Sequence, residues 1–251
     1  MKKILTLPKV DGETYSDYAY RTLRNNIMQM TLEPGEAVDE HELADILSIS
    51  RTPVHEAILR LKDEYLVEVI PRKNMTITKI NLSYVSEGTF WRCLVEPAVV
   101  KSLVNNVPGE YAEKLWENLQ FQEKLIDEHA DRTAFYAADD EFHKLLYLAA
   151  NKELIYSKKR YITSHLDRVR YIIRILGNKD LESPSYMHHM RIYQLIMFGG
   201  VVDKDFVDEY VRHISAFQET LPDIMKANPN YFESGHRLEL SDLLWERDFL
   251  I

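Results

Sequence analysis

The sequence predicts a mainly α-helical protein, with a winged helix-turn-helix at its N-terminus and an all-α antiparallel helical bundle after it. Apolar residues recur at helical spacing through most of the 251 residues. A short hairpin pattern with a basic tip occupies residues 67–80, and a glycine-poor run of helical patterns follows. We therefore predict a winged helix-turn-helix domain over residues 1–80, a helical domain over 81–227 and a C-terminal tail over 228–251.

The strongest local signal is a pair of amphipathic segments separated by a three-residue turn. Leu43 and Leu47 lie on one helical face, the letters SIS interrupt the pattern, and the pattern restarts after Arg51. Ser50 stands where a helix N-cap is expected, and Pro53 lies in the first turn, where a missing backbone N–H costs nothing. Two short helices that bury their apolar faces together are typical of a helix-turn-helix.

The start of the second helix and the following hairpin carry side chains that suit DNA. Arginine can reach guanine edges or hold a phosphate, and threonine and helix N-terminal amides suit phosphate oxygens. The runs VEVI and MTITKI flank a cationic tip, which predicts a wing. The candidate DNA-binding residues are His41, Arg51, Thr52, His55, Arg72 and Lys73. Helix pairs with short turns are also common in proteins that bind no DNA, so the spacing alone leaves that alternative open.

The charge balance restricts how DNA could be bound. The chain has 31 Lys+Arg against 40 Asp+Glu, and residues 1–79 contain 11 against 13. Generic binding to polyanions is therefore not expected. Recognition needs a local cationic stripe and a binding site that is doubled in a homodimer.

Other sequence features bear on location. No apolar run reaches the roughly 18 residues of a membrane span, and the apolar stretch near the N-terminus is too short for a secretory signal. The single cysteine, Cys93, suits a reducing compartment. We expect a cytoplasmic protein without a membrane partner.

After Asn81 the pattern is helix after helix, with polar, glycine or proline punctuation between the segments. Pro97 falls inside the first segment, where a kink is expected. The predicted helices lie at about 82–106, 109–128, 131–150, 152–176, 184–198 and 203–227.

Four ionisable residues stand on apolar faces of three of these helices: Asp139, His143, His189 and His213. Asp139 and His143 are spaced i,i+4 and so project from one face. Burying each group alone would be costly, and a shared divalent transition metal would satisfy all four. Zn²⁺ suits such a set of nitrogen and oxygen donors, with Ni, Mn and Fe as alternatives. For each histidine alone, a hydrogen bond to a carbonyl or a Tyr hydroxyl is the more common explanation.

Several of these motifs resemble one family. The stretch LEPGEAVDEHELADILSISRTPVHEAILRLKDEYLVEVIP is similar to the winged helix of GntR-type bacterial transcription regulators, and SRTPV matches letter for letter. The runs DDEFHKLLYLAANKELI, HHMRIYQLI and DKDFVDEYVRHI resemble the bundle of the FCD (FadR-like) branch. Departures fall at His41 and His55, where the family usually has Arg, and at His188, where it usually has Glu.

The resemblance implies a metal held by the same Asp and three His, and an effector that is a small organic acid. Arg92 and Arg170 are then candidates to bind the anionic end of the effector. The alternative for both arginines is an interhelical or surface salt bridge.

We therefore expect a DNA-binding transcription regulator rather than an enzyme, with no catalytic residues. A homodimer would bind a pseudo-palindromic double-stranded operator, and metal or acid in the bundle would change operator binding. The family resemblance favours a repressor, although the residues themselves do not distinguish repression from activation of transcription. One alternative is a metal-dependent enzyme acting on a small acid or ester, with an accessory winged helix; no H-E-x-x-H, G-x-S-x-G or Gly-rich phosphate loop supports it. The other is a constitutive DNA binder with a structural metal.

Overall fold

The computed structural model describes residues 4–69, 75–177 and 180–234. The N-terminal elements are α1 (Tyr15–Met28), β1 (Ala37–Val38), α2 (Glu40–Leu47), α3 (Arg51–Asp63), β2 (Val67–Val69) and β3 (Met75–Ile77). The helices that follow are α4 (Leu82–Leu103), α5 (Gly109–Asp127), α6 (Arg132–Ala149), α7 (Glu153–Leu176), α8 (Glu182–Phe198), α9 (Lys204–Ser215) and α10 (Leu221–Ala227). We call the first group the winged helix and the second the helical bundle. The predicted fold class is confirmed.

Local chemistry explains the helix-turn-helix. The Asp39 side chain caps α2 by accepting from the backbone N–H groups of His41 and Glu42. Ser48 ends α2 in the left-handed region, with φ of 55°. Ser50 occupies the N-cap position of α3 as expected, but its side chain makes no capping hydrogen bond there. The turn therefore depends on backbone geometry and on apolar packing more than on the Ser50 hydroxyl.

The wing is a three-stranded antiparallel sheet in the order β1-β3-β2. Val67 pairs with Ile77 and Val69 with Met75, so β2 and β3 form the predicted hairpin. Val67, Met75 and Ile77 are buried in the same apolar core as the three N-terminal helices. The predicted tip residues Arg72 and Lys73 lie outside the described residues.

The first helix of the bundle, α4, packs closely against α7. A Cβ at Gly88 would lie 3.1 to 3.2 Å from Ile162 O, Leu166 Cβ and Thr163 Cα, so glycine permits the close approach. Pro97 is accommodated within α4, which runs unbroken to Leu103.

The prediction of one continuous helix over residues 203–227 is wrong. The segment is α9, then a 3₁₀ turn over Ala216–Glu219, then α10. Pro222 lies in the first turn of α10. Because proline has no N–H and clashes with the preceding turn, an α-helix continuing from α9 is disfavoured there, and a new helix can start at that point.

The beginning of the predicted tail lies against the segment that joins the two parts of the chain. The amide of Ile80 donates to the carbonyl of Tyr231 at 2.8 Å, and that of Glu233 donates to the carbonyl of Ile80 at 3.0 Å. Phe232 is buried beside them. Residues from 235 onward lie outside the described part of the chain.

Among the described residues, no helix combines the length and apolar character that crossing a bilayer requires.

Candidate metal centre and DNA-reading surface

Helices α6, α8 and α9 bring the four predicted ligand residues together. Asp139, His143, His189 and His213 each offer one donor atom, and these atoms all lie within 4.8 Å of one another. The first three residues are fully buried and His213 is partly exposed. We call this set the four-residue cluster. The i,i+4 spacing places two donors on one face of α6, and α8 and α9 each add one.

A second layer of side chains orients the imidazoles. The Nδ1 atom of His143 lies 3.2 Å from Glu96 Oε2, and that of His189 lies 2.8 Å from Gln122 Oε1. Both oxygens are acceptors, so each Nδ1 carries the proton and each Nε2 keeps its lone pair. The Tyr210 hydroxyl also donates to Glu96 Oε2, at 2.9 Å. This is how metal-binding histidines are usually held in proteins.

The Nε2 atoms face the centre of the cluster. His189 Nε2 is buried, has no hydrogen-bond partner among the described residues, and lies 3.8 Å from Asp139 Oδ1. The Nε2 atoms of His143 and His213 are 3.4 Å apart. Two imidazole nitrogens at this distance repel each other unless a proton or a cation lies between them. The unpaired nitrogen and the close nitrogen pair therefore both suit a shared cation.

The protonation states match that requirement. Burial lowers the pKa values of His143, His189 and His213, so the imidazoles are neutral near pH 7. Burial alone would raise the pKa of Asp139, but the Arg170 and Arg174 guanidiniums outweigh it and hold that pKa well below its usual range. Three neutral imidazoles and one carboxylate form a donor set compatible with a transition-metal site.

Three arginines line a small cavity of about 30 Å³ beside the cluster. Arg170 donates to Asp139 Oδ2, and Arg174 Nη2 donates to Asp139 Oδ1 at 3.2 Å. Arg92 pairs with Glu96 through Nε at 2.8 Å and Nη2 at 3.1 Å. The Nη1 atoms of Arg92 and Arg170 are buried and have no hydrogen-bond partner within the described part of the chain. The cavity therefore places cationic donors that lack hydrogen-bond partners beside the candidate metal centre, an arrangement that suits an anionic oxygen.

A wider surface groove, of about 540 Å³, adjoins this cavity. The two share Leu181, Ser185, His213 and Ala216 as lining residues. His213 thus lies between the buried centre and the surface, which explains why it alone of the cluster is partly exposed.

The described DNA-binding candidates lie on the exposed start of α3 and the start of α2. Arg51 and His55 leave 56% and 54% of their side chains exposed, and both face Glu40, at 3.9 Å and 3.3 Å. Thr52 and His41 are exposed as well. Since Glu40 shares this surface, the local positive charge is partly neutralised and a DNA phosphate would compete with the Glu40 carboxylate.

Four residues of the site were not predicted as such: Glu96, Gln122, Arg174 and Tyr210. A signal existed for two of them. Glu96 is spaced i,i+4 from Arg92, and Arg174 is spaced i,i+4 from Arg170. Gln122 and Tyr210 have no such signal, since both look like ordinary residues of an amphipathic helix.

A winged helix joined to a helical bundle is the architecture of a DNA-binding transcription regulator. The family description "Bacterial regulatory proteins, gntR family" matches residues 16–77, and "FCD domain" matches residues 89–199. The chain therefore belongs to the GntR family of bacterial regulatory proteins and carries an FCD domain. It is a DNA-binding transcriptional regulator of this type.

Individual relatives agree with this assignment. The chain is 28% identical over 217 residues to the HTH-type transcriptional repressor RspR of Escherichia coli K12, which covers 85% of this chain and 91% of that protein. It is 31% identical over 134 residues to an uncharacterized HTH-type transcriptional regulator of Agrobacterium vitis, with coverage of 53% and 78%. Its fold is similar to that of E. coli McbR/YncC, with a TM-score of 0.69, 18% identity and coverage of 86% and 99%.

Proposed function

We propose that this regulator senses a small organic acid through a divalent transition metal held by Asp139, His143, His189 and His213. The observation that carries the proposal is the convergence of these four donors, with the Nδ1 protons of His143 and His189 directed away from the centre. Zn²⁺ is the favoured ion, because the set matches its ligand preference; Ni, Mn and Fe are alternatives.

The metal would act as a Lewis acid that binds a carboxylate of the effector. The chain's own contribution is the cationic wall of the cavity. Arg92 and Arg170 present Nη1 atoms without hydrogen-bond partners among the described residues, and these would bind the remaining anionic oxygens of the acid. Arg174 holds Asp139 ionised and would keep it available as a ligand.

The DNA-binding part of the proposal places the exposed residues of α3 in the major groove. Arg51, Thr52 and His55 would contact the operator, with His41 of α2 beside them. Arg72 and Lys73 would contact the flanking backbone. A homodimer on a pseudo-palindromic operator would double these contacts and offset the acidic net charge. Repression is the proposed sign, in keeping with the name of the relative RspR.

A metalloenzyme fits the site less well. Hydrolysis needs a general base whose pKa lies near the operating pH. The carboxylates at the centre are Asp139 and Glu96, and neighbouring arginines hold both pKa values well below the usual range despite burial. Both groups are therefore better ligands and anchors than bases.

The direct test is elemental analysis and calorimetric metal titration of the purified protein. We expect one transition-metal ion per chain, and loss of that ion in His189→Ala. The matched control is His129→Asn, which alters an exposed histidine in the α5–α6 loop that already has a positive φ. Equal metal content in His189→Ala and the parent would disprove the ligand assignment.

A thermal-shift panel of hydroxy acids, sugar acids and dicarboxylates on the metal-loaded protein separates sensing from a structural metal. We expect at least one acid to raise Tm, because binding to the native state alone stabilises it, and Arg170→Met to reduce the shift. If no acid changes Tm or affinity for operator DNA selected from random duplexes, the metal is structural and the protein is a constitutive binder.

A further inference from the structure

Helix α7 lies between the candidate metal centre and the winged helix. On one face, Arg170 and Arg174 are spaced i,i+4 and both donate to the Asp139 carboxylate. Ser164 and Arg168 are also spaced i,i+4. Arg168 and Arg170 are two positions apart, or about 200° around the helix, so these two side chains lie on opposite sides of α7 and the two pairs occupy different faces.

The second face of α7 holds the base of the winged helix through three side chains. Ser164 Oγ donates to the carbonyl of Glu64 at 2.8 Å, and His165 Nε2 donates to that of Tyr65 at 3.0 Å. Arg168 donates through Nη2 to the carbonyl of Thr78 at 2.9 Å. The accepting carbonyls immediately follow α3 and β3, so α7 contacts the end of the reading helix and the base of the wing.

These contacts are buried and specific. Ser164, His165 and Arg168 are each at most 2% exposed. His165 uses both ring nitrogens, because its Nδ1 accepts from the backbone N–H of Asn81 at 3.0 Å. Arg168 is paired with a backbone carbonyl and the Thr78 hydroxyl, and no carboxylate contacts it within the described ranges. A buried guanidinium that binds a carbonyl fixes the position of that carbonyl, because leaving the cation unsatisfied would be costly.

We propose that α7 is the element through which occupancy of the metal and acid site reaches the DNA-reading helix. The inference rests on the proposed function. A metal on Asp139, or an acid on the cavity arginines, changes the partners of Arg170 and Arg174. Ser164 and Arg174 are ten positions apart on one helix, about 15 Å along its axis, so a shift at one end moves the contacts at the other.

A competing route runs along the chain itself. Helix α4 follows the wing directly and carries Arg92 and Glu96 in the same site. A signal could therefore travel from the site through α4 and the segment at Ile80. The two routes differ in one testable respect, because only the first needs the side chains of Ser164 and Arg168.

The test is hydrogen–deuterium exchange of the chelator-stripped full-length protein, with and without Zn²⁺ or Ni²⁺ alone. In the parent we expect the metal to change exchange in α6, α8 and α9 and also at amides 64–66 and 78. Ser164→Ala and, separately, Arg168→Met are expected to keep the change at the site and to lose it at residues 64–66 and 78. Ser157→Ala is the matched control, since Ser157 Oγ donates to Leu154 O in its own helix.

A second readout is the metal affinity with and without selected operator DNA. Linkage requires that DNA and metal change each other's affinity by the same factor, typically about 5- to 150-fold. In Ser164→Ala we expect this factor to approach 1. Because Ser164→Ala removes only one hydroxyl group, it should fold, and the test then remains possible even if Arg168→Met does not fold.

Three results would overturn the inference, and they are distinguishable. If the parent binds metal and hydrogen exchange at amides 64–66 and 78 does not change, the role of α7 is disproved while the metal site stands. If the exchange of these amides changes in Ser164→Ala as much as in the parent and in Ser157→Ala, the coupling runs through α4 instead of α7. If the parent binds neither ion, both the proposed metal site and the proposed role of α7 are disproved.

Discussion

The cores of the winged helix and of the helical bundle differ in how many charged side chains they contain. The core of the winged helix is a continuous apolar cluster, and Glu64, the one buried acid among its described residues, lies at the edge where Arg24 binds it. The core of the bundle contains the four-residue cluster, the Arg92–Glu96 pair and the arginines on Asp139. Buried charges contribute little net stability and are costly when unpaired. The proposed metal and acid site accounts for this difference, because binding there needs buried charged groups, whereas the core of the winged helix serves folding and the proposed DNA contacts lie on its surface.

The largest expected effect is in the polar core. Asp139→Asn removes the carboxylate that the buried Arg170 and Arg174 share and leaves Arg170 with Asp167 at 3.8 Å and Arg174 with Glu182 at 3.3 Å. We expect a loss of about 3–5 kcal/mol in the free energy of unfolding of the metal-free protein. Trp91 and Trp116 both lie in the bundle, so urea denaturation followed by fluorescence reports on this region. The control Asp127→Asn, at the exposed end of α5, should change stability by less than about 0.5 kcal/mol. A loss below about 1 kcal/mol in Asp139→Asn would show that the arginines do not need that carboxylate.

The corresponding change in the apolar core is Leu61→Ala. Leu61 is fully buried in the winged helix, and truncating it should cost about 2–5 kcal/mol through lost burial and the remaining cavity. Hydrogen exchange should show faster opening of α1 and α3 while metal content stays at the parental level. Loss of the metal in this variant would contradict the separation of the two cores.

The junction between the two regions should make stability depend on pH. Burial, with a further contribution from Arg168, lowers the pKa of His165 from 6.5 to about 4. The unfolded chain therefore binds a proton below pH 6.5 that the folded protein excludes. The stabilising contribution is complete above about pH 6.5 and is lost as the pH falls toward 4, to a total of roughly 3 kcal/mol.

The variant that tests this is His165→Gln, which keeps a donor for Tyr65 O and an acceptor for the Asn81 amide without titrating. Urea denaturation at several pH values should show a shallower slope between pH 6.5 and 4 than in the parent. Parallel curves for parent and variant would mean that His165 is protonated in the folded state as readily as in the unfolded state.

The smallest expected effect is on the surface. Arg51→Ala should weaken binding to the selected operator by about 1–3 kcal/mol without changing the stability of the fold. Glu40→Gln is the complementary variant, because Glu40 faces both Arg51 and His55; it should strengthen DNA binding. Operator titrations at fixed salt measure both changes. Unchanged affinity in both variants would remove α3 from the proposed DNA contact.

Much of the fold could be predicted from the sequence because its signals are local. The spacing of Leu43 and Leu47, the position of Ser50 at the start of α3 and the alternation around Val67 each act within a few residues. The continuity of α9 and α10 was mispredicted because the apolar period passes through Pro222, where backbone chemistry overrides the pattern. The four cluster residues could also be identified from the sequence, because each is an ionisable side chain on the apolar face of a predicted helix, and that pattern is visible within a single helix.

The rest of the site depends on contacts between distant positions. Gln122 and His189 are 67 positions apart, and Glu96 reaches His143 from another helix. Neither Gln122 nor Tyr210 looks unusual in its own helix, so no local pattern identifies them. Their role as hydrogen-bond partners appears only when the helices are packed.

The sequence by itself determined the order of the helices, the wing, the family and which four side chains are candidates to share a cation. Periodicity, capping and motif letters are properties of neighbouring residues, and they can be read without a structure. Only the tertiary structure decided which nitrogen of His143 and His189 faces the centre, and that one helix contacts both Asp139 and the base of the winged helix. The physical reason is that proton position, charge pairing and helix contacts depend on distances in space between residues far apart in the chain.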